Sequence, residues 1–119
     1  MAQSMKYMIA IVKPVNLDDF VEALKRVGVR SITVNETKDY GQTGHAEFYR
    51  AAEYTTKFVP MLRIEFAVAS SQVESVSEAI AGAVQSGQIG DIKIFVLDLA
   101  SEMVLRTSKN DGITPRQAA

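Results

Sequence analysis

The sequence contains no cysteine, and His45 is its only histidine. The absence of cysteine excludes a disulfide framework, thiol catalysis and cysteine-ligated zinc, and it favours a reducing compartment. A single histidine excludes a histidine-based metal cluster, so we expect no metal site. No apolar run approaches the roughly 18 residues that a membrane-spanning helix needs. These absences predict a soluble, cytoplasmic protein that does not itself span a membrane.

The charges are balanced, with 13 lysine and arginine residues against 14 aspartate and glutamate residues. Proteins that bind nucleic acid usually carry a basic excess that neutralises phosphates, so we expect no nucleic-acid partner. Catalytic constellations are also weak, because a nucleophile–histidine pair would depend on His45 alone. Glu47 and Glu53 stand in a polar stretch, where carboxylates are usually just solvated. We therefore expect no enzymatic activity.

The length of 119 residues, with 47% apolar and 23% charged residues, is typical of one globular domain over 1–119. Hydrophobic periodicity predicts two helices, one between Asn16 and Gly28 and one between Ser71 and Gly87. Asn16 is the expected N-cap of the first helix, and Ser71 forms a capping box with Glu74 at the second. Gly28 and Gly87 are the expected residues just after each helix. The predicted strands lie at about 6–13, 32–38, 62–69 and 94–99.

The order strand, helix, strand, loop, strand, helix, strand predicts an α+β, ferredoxin-like βαββαβ sandwich with helices on one face of the sheet. We expect an ordered core over about 6–107, a long loop over about 39–60 and a mobile polar tail over 108–119. The first strand is apolar on both sides, since Ala10 and Ile11 point to opposite faces. Another copy of the chain is the simplest cover for the second face.

Two glycine-containing segments stand at loop positions, 41–44 directly after the second strand and 86–93 before the last strand. Glycines let backbone amides approach an anion closely, and Lys93 would add a positive charge. Neither segment matches a Walker or dinucleotide-binding motif, so each alone is typical of an ordinary turn.

Together with their surroundings, these segments resemble the PII signal-transduction family, collinearly from about Lys6 to Thr107. The matching motifs are GHAE over 44–47, YRAAEY over 49–54, FVP over 58–60, RIE over 63–65 and IGDIKIFV over 89–96. The resemblance implies a homotrimer that binds adenine nucleotides in clefts between subunits. It also implies that the loop over 39–60, the T-loop of this family, contacts a target protein such as a membrane transporter.

The resemblance also implies roles for particular residues. The positions that match the nucleotide cleft are Thr33, Gly41, Gln42, Glu65, Gly87, Gly90, Asp91, Lys93 and Arg106. Tyr54 matches a tyrosine that some members carry uridylylated. A small anion such as bicarbonate would find backbone amides near Gln42, with Arg50 or Lys57 nearby.

Several departures mark the chain as a divergent relative of the family. Ile92 replaces a glycine, where a Cβ would restrict positive φ and crowd a phosphate. Val104 replaces an arginine, which removes a charge-assisted phosphate contact. Met61 replaces the lysine that pairs with 2-oxoglutarate, Ala51 replaces a glycine, and one residue is missing before Gln42. We therefore expect AMP and ADP to be favoured over ATP, and 2-oxoglutarate not to bind tightly.

Other classes of function stay open. One is a carboxysome-associated branch of the same family that senses bicarbonate with an adenylate and regulates inorganic-carbon uptake. A second is a structural trimer without ligand, if Ile92 blocks the cleft. An RNA-binding ferredoxin-like domain would need aromatic residues on its central strands, and the third strand offers only Phe66.

Overall fold

The computed structural model describes residues 4–40 and 58–107, together with the backbone of 113–117. Strands, helices and two short 3₁₀ turns alternate along these residues. In chain order they are β1 (Met5–Val12), a 3₁₀ turn (Pro14–Asn16), α1 (Leu17–Arg26), β2 (Thr33–Asp39), β3 (Val59–Ala69), a 3₁₀ turn (Ser70–Gln72), α2 (Val73–Gln85), β4 (Lys93–Leu99), β5 (Ser101–Leu105) and β6 (Ile113–Gln117).

Strands β1 to β4 form one antiparallel sheet in the order β2-β3-β1-β4. β1 pairs with β3 from Met5 opposite Ala69 to Val12 opposite Leu62, and β4 pairs with the other side of β1. Each helix therefore connects two strands that have a third strand between them, which is the split βαβ arrangement. The predicted ferredoxin-like α+β fold is confirmed.

Both helices pack on one face of this sheet. Met8, Ala10 and Val12 alternate along β1 and are fully buried on that face. Phe20 of α1 and Ile80 of α2 belong to the same buried cluster. The apolar residues that recur every three or four positions along each helix thus form the stripe that covers the sheet.

The C-terminal ends of both helices are Schellman motifs. Gly28 has a φ of 88°, and the N–H of the next residue donates to the Leu24 carbonyl at 3.1 Å. Gly87 has a φ of 82°, and the N–H of the next residue donates to the Ala83 carbonyl at 3.0 Å. Both glycines occupy the position predicted for them, where a left-handed backbone is needed.

The N-terminal ends of the helices differ from the prediction. Asn16 precedes α1, but its side chain makes no capping hydrogen bond. The chain enters α2 through a 3₁₀ turn, so Ser71 is not the N-cap and the predicted capping box is wrong. Gln72 acts at this end instead, because its Oε1 accepts the N–H of Ala69 at 3.0 Å.

A separate antiparallel hairpin follows the main sheet, with Leu105 of β5 opposite Ile113 of β6. The sequence analysis assigned no strand to either segment. Pro115 cannot donate to a strand ladder, and a two-stranded ribbon has no packed face that imposes an alternating pattern. The hairpin was therefore hidden from pattern reasoning.

The sheet face opposite the helices carries apolar side chains that this chain leaves partly uncovered. Ile9 lies opposite Phe95 and Tyr7 lies opposite Leu97, and these β4 residues are 47% and 46% exposed. We call this surface the open face, defined by Tyr7, Ile9, Ile11, Arg63, Glu65, Phe95 and Leu97. The apolar character predicted for both sides of β1 is thus present in the structure.

Candidate functional site

A cavity of about 360 Å³ opens where the start of β2 meets the C-terminal half of β3. Its walls come from segment 28–31, from Thr33, from residues 65–68 and from Tyr7. The Schellman motif turns the chain at the end of α1, so segment 28–31 stands beside the edge of the sheet. The cavity has the size of a small-molecule site.

Glu65 is the centre of a polar network in the wall of this cavity. The Tyr7 hydroxyl donates to Glu65 Oε1 at 2.8 Å. Arg63 Nε lies 3.1 Å from Glu65 Oε2, and Asn35 Nδ2 donates to the same oxygen at 3.4 Å. β1 and β2 flank β3, so residues of three strands meet at one carboxylate. Hydrogen bonds of this kind, with a charged partner, are among the stronger ones in proteins.

The hydroxyl of Tyr7 is perturbed by its position in this network. The hydrogen bond to Glu65 raises the pKa of Tyr7 above its ordinary value of 10.0, and burial and the negative charge of Glu65 act in the same direction. The positive charge of Arg63 opposes them. The phenol is therefore protonated at neutral pH, as its role as donor requires.

The described members of the predicted nucleotide site on the sheet form two separate groups, one on β2 and the neighbouring strand β3 and one on β4. Thr33 and Glu65 are direct cross-strand partners, and both line the cavity. Lys93 begins β4 at the other edge, opposite Ile11 of β1. Three strand spacings of about 4.8 Å separate β2 from β4, so roughly 14 Å lies between the two edges. One chain therefore does not bring both groups into a single cleft.

The segment between α2 and β4 carries the second group. Gly87 is the left-handed residue that ends α2, and Gly90 packs near Asn16, since a Cβ at Gly90 would lie 3.6 Å from Asn16 Nδ2. Asp91 and Lys93 are exposed. This edge of the sheet thus offers accessible backbone and one positive charge, which suit an anion.

Ile92 differs from the expectation based on the family pattern. Within the described ranges, positive φ occurs at Gly28 and Gly87 and at no residue with a side chain. Ile92 is partly buried and packs against the hydrophobic core. The turn therefore does not need a left-handed backbone at position 92, so the expected conflict with positive φ does not arise there, while crowding of a phosphate by the Ile92 Cβ stays a prediction.

Arg106 directly follows β5 and is exposed, and Val104 two residues earlier is 36% exposed. Both lie beyond the four-stranded sheet, on the hairpin side of the molecule. The remaining predicted residues, Gly41, Gln42, Arg50, Tyr54 and Lys57, lie outside the described residues.

Two further properties of the described ranges bear on the expected absences. Among residues 4–40 and 58–107, no three histidine, cysteine, aspartate or glutamate side chains are arranged to hold a metal ion. In the same part of the chain, no helix combines the length and the apolar character needed to cross a membrane.

Sequence reasoning missed Tyr7, Arg63 and Asn35 as neighbours of Glu65. The alternation along the third strand already placed Arg63 and Glu65 on one face. Tyr7 and Asn35 come close to Glu65 only because of the register in which β1 and β2 pair with β3. A period-two pattern does not reveal that register.

Comparison with known proteins establishes the family of the chain. Residues 5–109 match the family model described as Nitrogen regulatory protein P-II. The chain belongs to the P-II family. A P-II relative from Rhizobium etli, named Nitrogen regulatory protein P-II, is 48% identical over 109 residues, which cover 91% of this chain and 97% of the relative. The resemblance noted in the sequence is confirmed.

Other members of the P-II family are similarly close. Nitrogen regulatory protein GlnK from Escherichia coli K12 is 43% identical over 108 residues, covering 90% of this chain and 96% of GlnK. Nitrogen regulatory protein P-II from Rhizobium meliloti is 46% identical over 106 residues, covering 88% and 95%. This chain therefore spans nearly the full length of nitrogen regulatory proteins.

Proposed function

We propose that the chain is a cytoplasmic P-II sensor rather than an enzyme, and that it binds adenine nucleotides in clefts between the subunits of a homotrimer. In this proposal the T-loop over 39–60 carries the signal to a target protein. Membership of a family of nitrogen regulatory proteins supports a regulatory role.

The observation that carries the proposal is the separation of the two residue groups. Thr33 lies on the edge strand β2 and Glu65 lies beside it on β3, whereas Asp91 and Lys93 lie at the β4 edge of the sheet. The cavity lies beside Thr33 and Glu65, with Arg30 as a cation in its wall, and the glycine-containing segment that ends at Lys93 lies across the sheet. Two neighbouring copies that meet edge to edge would supply both. The exposed apolar residues of the open face give such copies a reason to associate.

Phosphate recognition in this cleft favours AMP and ADP over ATP. Lys93 and Arg106 are the exposed cations proposed to contact phosphate. Val104 stands where the family pattern has an arginine, and a valine offers no charge-assisted hydrogen bond. Each such bond contributes about 1.5–3 kcal/mol, so the longest phosphate chain loses most.

A methionine at the base of the T-loop supports the expectation that 2-oxoglutarate does not bind tightly. Met61 stands near the end of the β2–β3 ladder, where the family pattern has a lysine, and its carbonyl accepts the Thr37 hydroxyl at 3.3 Å. A methionine offers no positive charge to a dicarboxylate. We expect no tight binding of 2-oxoglutarate.

Two exposed aromatic residues, Tyr40 and Phe58, lie side by side at the base of the T-loop. The rings of Tyr40 and Phe58 have centroids 5.5 Å apart, just beyond the last ladder pair of β2 and β3. Uridylylation of Tyr54, and a small-anion site at Gln42, Arg50 and Lys57, are hypotheses for residues outside the described ranges. The relatives' names concern nitrogen, so no observation favours the carboxysome alternative.

The test is calorimetric titration of the purified full chain with AMP, ADP and ATP, with a thermal-shift panel that adds 2-oxoglutarate and bicarbonate. We expect AMP and ADP to bind, ATP to bind no more tightly, and 2-oxoglutarate to give no shift with MgATP. Binding of ATP ten-fold tighter than ADP and AMP would contradict the proposed preference. If no adenine nucleotide raises the melting temperature, the proposed nucleotide binding is wrong and the alternative of a structural trimer without ligand is favoured.

A further inference from the structure

A second cavity, of about 430 Å³, lies at the other end of the β2–β3 ladder from the cavity beside Thr33. The nucleotide cleft proposed above uses none of the residues in its walls, and its volume is that of a small-molecule site. The lining residues come from the first 3₁₀ turn, from β2 and from β3, and they are Pro14, Glu36, Thr37, Lys38, Pro60, Met61 and Leu62.

Most of the wall of this second cavity is apolar. Leu62 is buried and Met61 is partly buried, and Pro14 and Pro60 complete the apolar part of the lining. Contact between such a surface and an aliphatic group releases water from both, which is favourable. The cavity therefore suits a ligand with a small aliphatic part.

Two opposite charges stand on one wall of the same cavity. Glu36 pairs with Leu62 and Lys38 pairs with Pro60 in the ladder, and residues two apart on a strand point to the same face. Their backbone positions are roughly 6.6 Å apart, at 3.3 Å per residue. The ion pairs formed within residues 4–40 and 58–107 lie elsewhere, so neither charge is neutralised by a described neighbour.

We propose that this cavity binds a small aliphatic amino acid in its zwitterionic form. The ammonium group of the ligand donates to the Glu36 carboxylate, and the ligand's carboxylate accepts from the Lys38 ammonium group. The aliphatic side chain lies against Leu62 and the prolines. A dicarboxylate fits poorly, because one cation lines the cavity and Glu36 repels the second carboxylate.

The proposal predicts that both charges of the ligand and its side chain contribute to binding. Glu36 and Lys38 are exposed, so each ion pair contributes modestly. We expect leucine to bind at least about 3-fold more tightly than isocaproate, which lacks the ammonium group, or isoamylamine, which lacks the carboxylate. Glycine keeps both charges but has no side chain, and it should bind at least about 10-fold more weakly than leucine.

The experiment is chemical-shift titration of the full chain at pH 7 with leucine, isocaproate, isoamylamine and glycine. The proteins are the wild type and the Glu36→Gln, Lys38→Gln and Glu22→Gln variants. Glu36→Gln should bind leucine no more tightly than isocaproate, and Lys38→Gln should bind leucine no more tightly than isoamylamine. Glu22 is exposed on α1 and does not line the cavity, so Glu22→Gln should keep the wild-type preferences.

A wild type that binds none of the four compounds, or binds leucine, isocaproate and isoamylamine equally, would overturn the proposal. Glycine binding as tight as leucine binding would also overturn it, since the apolar wall would then contribute nothing. A preference for leucine that survives both Glu36→Gln and Lys38→Gln would exclude this cavity as the site. ADP binding is measured in the same samples, and its absence would contradict the proposed function while the amino-acid site stands.

Discussion

At the scale of single residues, the structure brings together polar side chains that are far apart in the sequence. Glu65 is the best example, because Tyr7, Arg63 and Asn35 approach it from three adjacent strands. Each of these three side chains helps to fix the position of the Glu65 carboxylate. Removing any one of them therefore weakens the network that the other two form with Glu65. The contact with Tyr7 is the shortest of the three, so it is the one to test.

Replacing Tyr7 with phenylalanine should lower the free energy of unfolding by about 1 kcal/mol at pH 8, because a partly buried hydrogen bond to a charged acceptor is lost. The raised pKa of Tyr7 sets the pH dependence. In the unfolded chain the pKa of Tyr7 is about 10, and below that pH the stabilising contribution of the hydroxyl is complete. The contribution is lost as the pH rises through the higher pKa of Tyr7 in the folded protein. The difference between wild type and variant should therefore shrink towards pH 11.

The measurement is urea unfolding of both proteins at pH 8 and pH 11, with Tyr40→Phe as the matched control. Tyr40 is 64% exposed. The Tyr40→Phe variant should have the same free energy of unfolding as the wild type at both pH values. A difference between wild type and Tyr7→Phe that is constant with pH would show that the hydroxyl of Tyr7 does not titrate with a raised pKa.

Val104 offers a second test at this scale. Restoring a guanidinium with Val104→Arg should raise the affinity for ATP by about 10-fold and the affinity for AMP hardly at all, since only the longer phosphate chain gains a contact. Val104→Gln has a similar reach without the charge and should behave like the wild type. The affinities of both variants for AMP, ADP and ATP are measured by isothermal titration. An equal gain in affinity for AMP and ATP in Val104→Arg would contradict a contact with the longer phosphate chain.

At the scale of elements, α2 has one glycine inside it and another just after its end, and the two are in opposite situations. Gly82 lies inside the helix and Gly87 ends it with a φ of 82°. Neither would place a Cβ within 4 Å of another atom. Any effect of an alanine at these positions therefore comes from the backbone rather than from crowding.

Gly82→Ala should stabilise the protein by about 0.5–1 kcal/mol, because alanine is the better helix former. Gly87→Ala should destabilise it by about 1–2 kcal/mol, because a Cβ strains the left-handed backbone. Chemical denaturation measures the free energy of unfolding of both variants. Each serves as the control for the other, because both add the same methyl group near the end of α2. Destabilisation by both would mean that Gly82 has a packing role that the structure does not reveal.

The same scale shows how far the sequence predicts this fold. The helices, their terminal glycines and strands β1 to β4 follow from periodicity, because one buried face imposes the pattern on each element. The β5–β6 hairpin was missed because its strands form a separate two-stranded sheet and one of them contains Pro115, which cannot donate to a strand ladder. The start of α2 was misplaced by the 3₁₀ turn, in which Gln72 Oε1 accepts the N–H of Ala69.

The candidate site was less predictable than the fold. The family pattern predicts nucleotide contacts at Thr33, Glu65 and Lys93, but their separation across the sheet depends on strand order, which the sequence pattern alone does not give. Tyr7 was missed for a related reason, because its contact with Glu65 arises from the register of β1 against β3. Long-range pairing carries the information that local periodicity lacks.

At the scale of the whole molecule, the open face explains why one chain is not enough. Phe95 and Leu97 expose nearly half of their surface beside Ile9. A chain of this size covers one face of a four-stranded sheet with its two helices. The other face is left for a second element, and other copies of the chain provide it in the proposed trimer.

Replacing Phe95 with glutamate should dissociate the assembly, because a charge on the open face would be buried without a partner. Light scattering after size exclusion should give about 39 kDa for the wild type, three chains of 13.0 kDa, and a single-chain mass for the variant. Val15→Glu is the control, since Val15 is 84% exposed and lies outside the open face. An intact trimer of Phe95→Glu would exclude this face as the interface.

The central claim is that each nucleotide cleft takes Thr33 from one copy and Lys93 from its neighbour. Co-expressed Thr33→Arg and Lys93→Glu chains test it most directly, with ADP binding sites counted by titration. Each variant alone should bind no ADP, whereas the co-expressed population, homotrimers included, should regain about a quarter of the wild-type sites, because random mixing pairs an intact Thr33 with an intact Lys93 in that fraction of clefts. Mixed trimers that regain no ADP binding would contradict the account.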